Sequence, residues 1–446
     1  MWVNLLGIFL LLDVVRAETA TWEQLIASGD KLRTDARYTE AEPYFRSAIQ
    51  QAQGPEEMAM SLGQLALLLQ LRGDFPQAEE FYQRAISAYE VLPSPLNLAI
   101  NLNNLGNLYA NGGRCDQAEP LVLRAIEIQS RVSGPESAGM ADMLDTLASI
   151  QMNRSRYADA EATFRRVASL RKRLLGPEDP GLAETLSNLG RICYTLGRYS
   201  EAEALYRRAI GIREKALGTE HPETARIRSQ LAELYRIEKK YKEAEMLWLD
   251  VIRIWEKMLG PEHHDLGAAW NNLGSAYFSE HRFGEAENLF QRALNICEKS
   301  LGTEHPCTVT ALINLASTYR EQHEYESAES LYRRALAVQE RTLQPEHSEI
   351  FKTLANLANA YCLQGRYQDA EPLYARSLKV AEASLGAAHP DAIVTLANYG
   401  LVLRKLGRKV DAKRVEAHLR ELRTQSRGND PGDFAVDWRE LQKRAR

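Results

Sequence analysis

The feature that most constrains this chain is an internal repeat of 42 residues. Its clearest copy runs from Asn271 to Pro306 and reads NNLGSAYFSEHRFGEAENLFQRALNICEKSLGTEHP. Self-similarity at such a period is typical of solenoid proteins, in which each unit packs only on its neighbours. An aromatic residue marks the same position of the unit at intervals of 42 residues: Tyr157, Tyr199, Tyr241, Phe283, Tyr325 and Tyr367.

Each unit predicts two amphipathic helices joined by a polar turn. Apolar residues recur at helical spacing around Leu273 and again around Phe290. The small residues Gly274 and Ala286 lie where two helix backbones must approach closely, and Tyr277 fills the space beside them. The expected fold is therefore all-α, an α-solenoid superhelix of about ten helical hairpins.

This pattern resembles the tetratricopeptide repeat, with matching Leu-Gly, Tyr, Ala, aromatic and Ala positions. The longer unit, with its connector LGTEHP from Leu301 to Pro306, is similar to the kinesin light chain subfamily and its bacterial relatives. The resemblance implies that the first helices of the hairpins line a concave groove, and that this groove binds a peptide or a protein.

The first residues of the chain, Met1 to Ala17, resemble a secretory signal peptide or a short N-terminal anchor. An apolar run from Leu5 to Leu12 precedes a small-residue cleavage site, although Asp13 follows the run and no Lys or Arg precedes it. The run is too short for an ordinary membrane-spanning helix. We expect an exported, periplasmic or membrane-associated protein, with membrane contact only through this segment if it is uncleaved. A buried capping helix in a cytoplasmic protein is the alternative.

The remaining chain is expected to form one solenoid followed by a tail. Repeat intervals are shorter near the beginning, and the last second helix is rich in charged residues, as a solvent-facing cap should be. The tail is rich in small and polar residues, which is typical of disorder. The predicted segments are a solenoid over 21–422, with irregular repeats at 21–97, regular repeats at 98–391 and a capping repeat at 392–422, and a flexible tail over 423–446.

Composition argues against several classes of function. The net charge of −5 and the isoelectric point near 6.1 give no basic footprint for nucleic acid. The five cysteines show no CxxC spacing, so they are poor metal or redox candidates and are better explained as small buried residues. Cys297 and Cys307 flank one connector and could pair if the protein is exported.

Histidines and glutamates recur in columns that could suggest chemistry. Helices of neighbouring repeats lie about 8 to 10 Å apart, whereas zinc ligands lie about 2 Å from the ion. Histidines of different repeats therefore could not coordinate one ion together. We expect them to hydrogen-bond at the start of the next helix. Glutamates such as Glu203 and Glu329 are expected to form ion pairs with Arg207 and Arg333, at i, i+4. The histidine column is His221, His263, His305, His347 and His389.

No catalytic constellation is present in the sequence. It contains no phosphate-binding Gly-rich loop, no GxSxG and no Cys/His pair in a nucleophile context. We therefore expect no enzyme, no catalytic residue, no metal, no cofactor and no small-molecule substrate.

The candidate site is the polar face of the first helices, whose residues vary between repeats. Asparagine can both donate to and accept from a peptide backbone, arginine can bind carboxylates, and aromatic rings can pack against side chains. A second asparagine column directly precedes the Leu of each unit, as at Asn314, and could join adjacent repeats or contact the ligand. The predicted groove residues are Asn103, Asn107, Asn111, Arg191, Tyr194, Arg226, Arg236, Asn271, Phe278, Arg320 and Asn359.

Two functions from different classes follow. The first is a non-enzymatic scaffold that binds a protein or peptide partner in the concave groove. The second is a structural or assembly subunit that uses its convex face or its ends and has no groove ligand.

Overall fold

A computed structural model describes residues 20–35 and 37–425, without the side chains of residues 423–425. The predicted signal peptide or anchor lies outside the described residues, and so do residues 426–446 of the predicted tail. The last helix reaches Gln425, three residues into the segment assigned to the tail. The predictions of export and of a flexible tail therefore stay predictions.

Twenty α-helices follow one another in the described part of the chain, and the chain divides into two compact units between Ala216 and Leu217. The first unit holds α1 Trp22–Thr34, α2 Tyr38–Gln51, α3 Pro55–Arg72, α4 Phe75–Tyr89, α5 Pro95–Asn111, α6 Cys115–Ser133, α7 Ala138–Asn153, α8 Tyr157–Leu174, α9 Pro180–Thr195 and α10 Tyr199–Leu217, whose last residue lies past the boundary. The second unit holds α11 Pro222–Ile237, α12 Tyr241–Leu259, α13 His264–Ser279, α14 Phe283–Leu301, α15 Pro306–Glu321, α16 Tyr325–Thr342, α17 Ser348–Leu363, α18 Tyr367–Ser384, α19 Pro390–Lys405 and α20 Lys409–Gln425.

The helices pair into hairpins, which confirms the predicted all-α repeat array. Odd-numbered helices are the first helices of the hairpins, and even-numbered helices are the second helices. Within each unit, the second helix of one hairpin packs on the first helix of the next. The substantial contacts that skip one helix all join first helices, for example α5 with α7 and α13 with α15. The first helices thus form a common layer in each unit.

Small residues hold the two helices of a hairpin close together, as the sequence predicts. A Cβ atom on Gly274 would lie 2.8 Å from the Phe290 ring, so the ring occupies the space that a side chain would need. Ala286 is fully buried at the same crossing. Overpacking such a contact would force backbone shifts.

The recurring histidines cap the first helices, which confirms their predicted role at the helix start. In each case Nδ1 accepts a hydrogen bond from the backbone N–H two residues later; for His305 this distance is 3.1 Å, to Cys307. Such a bond satisfies one of the donors that a helix N-terminus leaves free. His221, His263, His347 and His389 make the same bond at 3.1–3.3 Å.

The recurring glutamates join neighbouring repeats, which the sequence interpretation missed. Glu329 of α16 accepts hydrogen bonds from the Tyr361 hydroxyl of α17 and from Arg366 in the following turn, both at 2.7 Å. The Arg366 guanidinium also stacks 4.2 Å from the Tyr361 ring centroid. We call this arrangement the Glu-Tyr-Arg clasp. It recurs at Glu79, Tyr109 and Arg114, and at Glu245, Tyr277 and Arg282.

The predicted ion pairs within single helices also form, as Glu329 with Arg333 at 3.0 Å shows. They add to the clasp and do not replace it. Among the described helices, none is long and apolar enough to cross a membrane.

Candidate functional site

Most of the predicted groove residues occupy three equivalent positions on the first helices. These positions follow one another at i, i+4 and i+7 and so share one helix face. We call it the first-helix face. Asn103 and Asn271 occupy the first position; Asn107, Arg191 and Asn359 the second; Tyr194, Arg236, Phe278 and Arg320 the third. Asn111 and Arg226 lie beside this face.

In the first unit the candidate residues form a line of amides on α5. The Asn107 carbonyl oxygen accepts hydrogen bonds from Gln70 at 3.3 Å and from Asn111 at 2.9 Å. The Asn103 side-chain oxygen is buried without a hydrogen-bond partner. On α9, Arg191 lies 3.4 Å from the Asn188 oxygen. These side chains offer hydrogen-bonding groups along α5 and α9.

In the second unit several candidate residues are already engaged. Arg226 and Arg236 pair with carboxylates of their own helix, Arg236 with Glu233 at 2.7 Å. The Asn271 oxygen accepts a hydrogen bond from Asn314 of the next first helix at 3.0 Å. At this position the asparagine column joins adjacent repeats.

Asn359 is also engaged, because it lies almost fully buried between hairpins. Its oxygen accepts hydrogen bonds from the Tyr374 hydroxyl at 2.5 Å and from Asn398 at 3.3 Å. Burial of this kind gives Asn359 a packing role between repeats.

Arg320 lies at a cleft of about 260 Å³ in the second unit, and Phe278 contacts one of the residues that line it. Arg320 lines it at the end of α15, and Phe278 packs edge-on against Phe283, which lines it from the start of α14, with ring centroids 5.3 Å apart. The cleft lies where the C-terminal ends of first helices meet the turns of their hairpins. Its lining is His281, Phe283, Arg320, Glu321, His323, Tyr325 and Leu363.

Arg320 is a buried cation, with 3% of its surface exposed. Its guanidinium donates to the Asn356 oxygen at 3.2 Å and to Glu321 at 3.0 Å, while its Nε has no partner. The same repeat position carries Phe278 and Cys362, and it also carries Arg236 and Arg404, whose side chains are 21% and 60% exposed. A buried charge carries a large desolvation penalty, so the burial of Arg320 is its costly departure from the repeat.

Two histidines of the cleft hold strained turns. His281 and His323 have φ of 60° and 66°, a region that non-glycine residues seldom adopt. Gly197 and Gly365 take the equivalent turn position in other repeats, and Ser155 and Lys239 adopt a positive φ there as well. His323 Nδ1 lies 2.8 Å from the Tyr325 hydroxyl, and burial, followed by the Glu321 charge, raises the pKa of Tyr325.

The turn after His323 also lacks the usual arginine of the clasp. Glu324 stands where Arg282 and Arg366 stand in the neighbouring repeats, and Gln322 donates to Glu287 instead, at 3.0 Å. Sequence reasoning found Arg320 and its neighbour Phe278 but missed the remaining residues that line the cleft. The signal that could have found them is departure from a column, because Glu324 replaces the arginine that the neighbouring repeats carry and His323 replaces the glycine that Gly197 and Gly365 supply in other repeats.

One further group could in principle hold a metal ion. Ligand atoms of His263, His264 and Asp265 lie within 4.8 Å of one another at the start of α13. However, His263 Nδ1 already accepts the Asp265 backbone N–H, as in the other histidine caps. The prediction of no metal and no catalytic residue stays a prediction.

Comparison with solved structures finds several similar chains. One similar structure is that of nearly identical TPR-like repeats of a Podosopora anserina kinesin light chain. It is 25% identical to this chain and covers 47% of this chain and 99% of its own length, with a TM-score of 0.42. BtubC (BKLC) from P. vanneervenii is 23% identical over 51% of this chain and 89% of its own, with a TM-score of 0.44.

Two further structures cover more of the chain. Apo RapI is 13% identical over 83% of this chain and 97% of its own, with a TM-score of 0.56. A Rap protein complexed with Competence and Sporulation Factor is 14% identical over 83% and 99%, with a TM-score of 0.55. These two show a shared fold.

No curated protein matches the chain significantly. Family models described as tetratricopeptide repeat match residues 29–90, 102–138, 139–215, 204–257, 223–299, 265–341 and 349–425. These matches cover most of the sequence and agree with the hairpins of the structure. The chain belongs to the tetratricopeptide repeat family.

Proposed function

We propose that this chain is a non-enzymatic scaffold that binds a protein or peptide partner on the first-helix face of its second unit, with the cleft around Arg320 as the anchor. The observation that carries the proposal is the concentration of costly departures at one place. A buried arginine and two histidines at positive φ line a single cleft. Strain and buried charge persist where they serve a function.

The size and chemistry of the cleft suit one side chain of a partner. About 260 Å³ accommodates a large side chain. The rings of Phe283 and Tyr325 and the Leu363 side chain offer apolar contact, and Arg320 and Glu321 offer a donor and an acceptor at the edge. A few polar groups within apolar walls are what fix the orientation of a bound group.

The fold of a Rap protein holds the Competence and Sporulation Factor in a solved complex. That complex concerns the Rap protein, and it supports only the capacity of such a fold to present a binding surface. The competing function, an assembly subunit that uses its convex face or ends, makes no use of the cleft.

The test replaces Arg320 and Glu321 of the cleft by the residues of the preceding repeat. Phe278 and Ser279 stand where Arg320 and Glu321 stand 42 residues later, so the double variant R320F/E321S grafts a pair that the array already accommodates. A matched control, R376F/E340S, removes an exposed arginine-glutamate pair of the second helices. Peptides selected on the wild-type chain from a random display library serve as probes.

We expect the graft to weaken binding of the selected peptides by about tenfold or more, which corresponds to about 1.4 kcal/mol. The control should bind as the wild type does. Equal binding by graft and wild type would mean that the ligand binds elsewhere. Loss of binding by the control variant alone would indicate a ligand site on the second helices. Failure to select any peptide that distinguishes wild type from graft would also overturn the proposal.

A further inference from the structure

Three residues depart from the repeat together and meet at one point of the second unit. Cys297 lies on α14, Cys307 lies in the first turn of α15, and Gly267 lies on α13. One repeat away, the corresponding positions carry different residues: Trp255 and Gln339 for Cys297, Asp265 and Glu349 for Cys307, Ala225 and Val309 for Gly267. None of the three is therefore a requirement of the repeat itself.

The two cysteines form a disulfide between α14 and α15, with Cα atoms 5.8 Å apart. This separation lies within the range that unstrained backbones allow. A Cβ atom on Gly267 would lie 2.5 Å from Cys297 Sγ and 3.3 Å from Cys307 Sγ. Absence of a side chain at Gly267 thus creates the space that the sulfurs occupy. Three residues from three helices fit together only in this repeat.

We propose that Cys297 and Cys307 form a reversible thiol-disulfide exchange site that clamps the junction between α14 and α15. Cys297 is fully buried, whereas Cys307 is partly exposed. Only Cys307 is therefore open to an external sulfur atom. Its place in the first turn of α15 also favours the thiolate form, since helix N-termini stabilise negative charge.

The chemistry balances with a small disulfide as oxidant. The Cys307 thiolate attacks one sulfur of the small disulfide, a mixed disulfide forms, and one small thiolate leaves. Cys297 then loses its proton and attacks Cys307 Sγ, which releases the second small thiol. Two protein thiols are oxidised and one small disulfide is reduced to two thiols. In the reverse direction a small thiolate attacks Cys307 Sγ and Cys297 leaves as the thiolate.

The other described cysteines provide a contrast within the same chain. Burial raises the pKa of Cys193 to about 11 and that of Cys362 to about 12. Buried thiols with raised pKa values react slowly. Cys115 is free and partly exposed but lies in the other unit, without a cysteine partner.

The clamp adds a covalent link to a connector that hydrogen bonds also hold. In that connector the Thr308 hydroxyl donates to the Gly302 carbonyl at 2.7 Å, and His305 caps α15. Oxidation adds a covalent link across the same short loop. The junction should therefore open less often in the oxidised chain than in the reduced chain.

The experiment follows the disulfide directly in the full chain. The protein is equilibrated with dithiothreitol and its cyclic disulfide at a series of ratios, alkylated, digested with trypsin and analysed by mass spectrometry. Lys299 lies between the two cysteines, so trypsin leaves two peptides that only the disulfide joins. We expect a reversible link between Cys297 and Cys307. Free alkylation of both at oxidising ratios, or a link to another cysteine, would overturn the proposal.

A glycine variant tests the geometry. Gly267→Ala should shift the equilibrium towards the dithiol by about fivefold or more, because a free Cys297 thiol can rotate away from the added methyl group and a bridged one cannot. Gly284→Ala on α14 is the matched control, since its Cβ would meet nothing within 4 Å. Equal shifts in both variants would refute the role of Gly267.

Single cysteine variants test the order of attack and do not depend on the glycine variant. Cys297→Ser leaves Cys307, which should be alkylated rapidly in the folded chain. Cys307→Ser leaves the buried Cys297, which should react at least about tenfold more slowly. Equal rates would contradict the assignment of Cys307 as the attacked sulfur.

Hydrogen exchange tests the clamp itself. The amides at the start of α15 should exchange more slowly in the oxidised than in the reduced wild type, by about tenfold or more. Equal exchange in the two states would show that the disulfide does not hold the junction.

Discussion

The Glu-Tyr-Arg clasp predicts that one hydroxyl group stabilises the junction of two repeats. Tyr361→Phe removes the hydroxyl that donates to Glu329 at 2.7 Å and accepts from Arg333 at 2.6 Å. The ring stays, so Arg366 keeps its stacking partner. The variant therefore isolates the hydrogen bonds of the clasp from its packing.

The size of the effect follows from the surroundings of the carboxylate. A hydrogen bond to a charged group contributes about 1.5 to 3 kcal/mol. Glu329 keeps its bonds from Arg366 and Arg333, and 18% of its side chain remains exposed, so water can replace part of the loss. We therefore expect a decrease in the free energy of unfolding at the lower end, about 1.5 kcal/mol.

The control is Tyr241→Phe, at a position where Phe283 stands one repeat later. No hydrogen bond joins the Tyr241 hydroxyl to the described residues, so its loss should change stability by less than about 0.5 kcal/mol. Because long repeat arrays can unfold in parts, urea denaturation is combined with hydrogen exchange of the amides in α16 and α17.

A double-mutant cycle with Glu329→Gln separates the clasp from general effects. The two changes should be non-additive by about 1 kcal/mol, because both remove the same hydrogen bond. If Tyr361→Phe behaves as Tyr241→Phe does, or if the two changes add, the clasp does not stabilise the junction and the reasoning fails.

Three further predictions concern pH, the strained turn and the caps. Burial opposes ionisation of Glu329, but hydrogen bonds from Tyr361 and Arg366 outweigh this effect and lower its pKa below 4.5. The stability that this shift contributes is present above 4.5 and is lost as the pH falls through the lowered pKa. In urea titrations, the difference in the free energy of unfolding between wild type and Glu329→Gln should therefore narrow in acid. His281→Gly should raise the free energy of unfolding by up to about 1 kcal/mol, because glycine relieves the strain of positive φ. The same variant should bind the display-selected peptides more weakly, and unchanged binding would contradict a role for this turn. His305→Ala should lower the melting temperature through the loss of about 1 kcal/mol of capping, and His305→Asn should restore it; if Asn gives no recovery, the cap is not the reason.

The repeat architecture could be predicted from the sequence because its signals are local and recur. Helical spacing, small residues such as Gly274 and the connector ending at Pro306 each fix a hairpin without reference to distant residues. The disulfide partners could be suggested for the same reason, since they flank one connector. Gly267, which makes room for them, carries no signal until the third helix is in place.

The candidate site could be predicted only in part, because a helical wheel places a residue on a face but does not show what covers that face. Arg320 was expected to line an open groove, whereas the structure buries its guanidinium against Asn356 and Glu321. Asn359 has the right register, but Tyr374 and Asn398 of the following helices enclose it. Both outcomes depend on neighbouring repeats, and they lie beyond the reach of single-helix reasoning.

Comparison between equivalent positions separates what the fold requires from what it merely tolerates. A residue that recurs across repeats, such as the capping His305, contributes to each of those repeats in the same way and carries no information about one ligand. A residue that replaces the usual one at a cost is different. Arg320 buries a charge that Arg236 and Arg404 leave more exposed at the same repeat position, and His323 holds a positive φ where Gly197, Gly365 and Gly407 supply glycine in other repeats. Cys307 lies in the first turn of α15, and Arg320 lies in its last turn. Because α15 carries the departures at both ends, it is the helix whose position a partner at the cleft would sense and the clamp would hold.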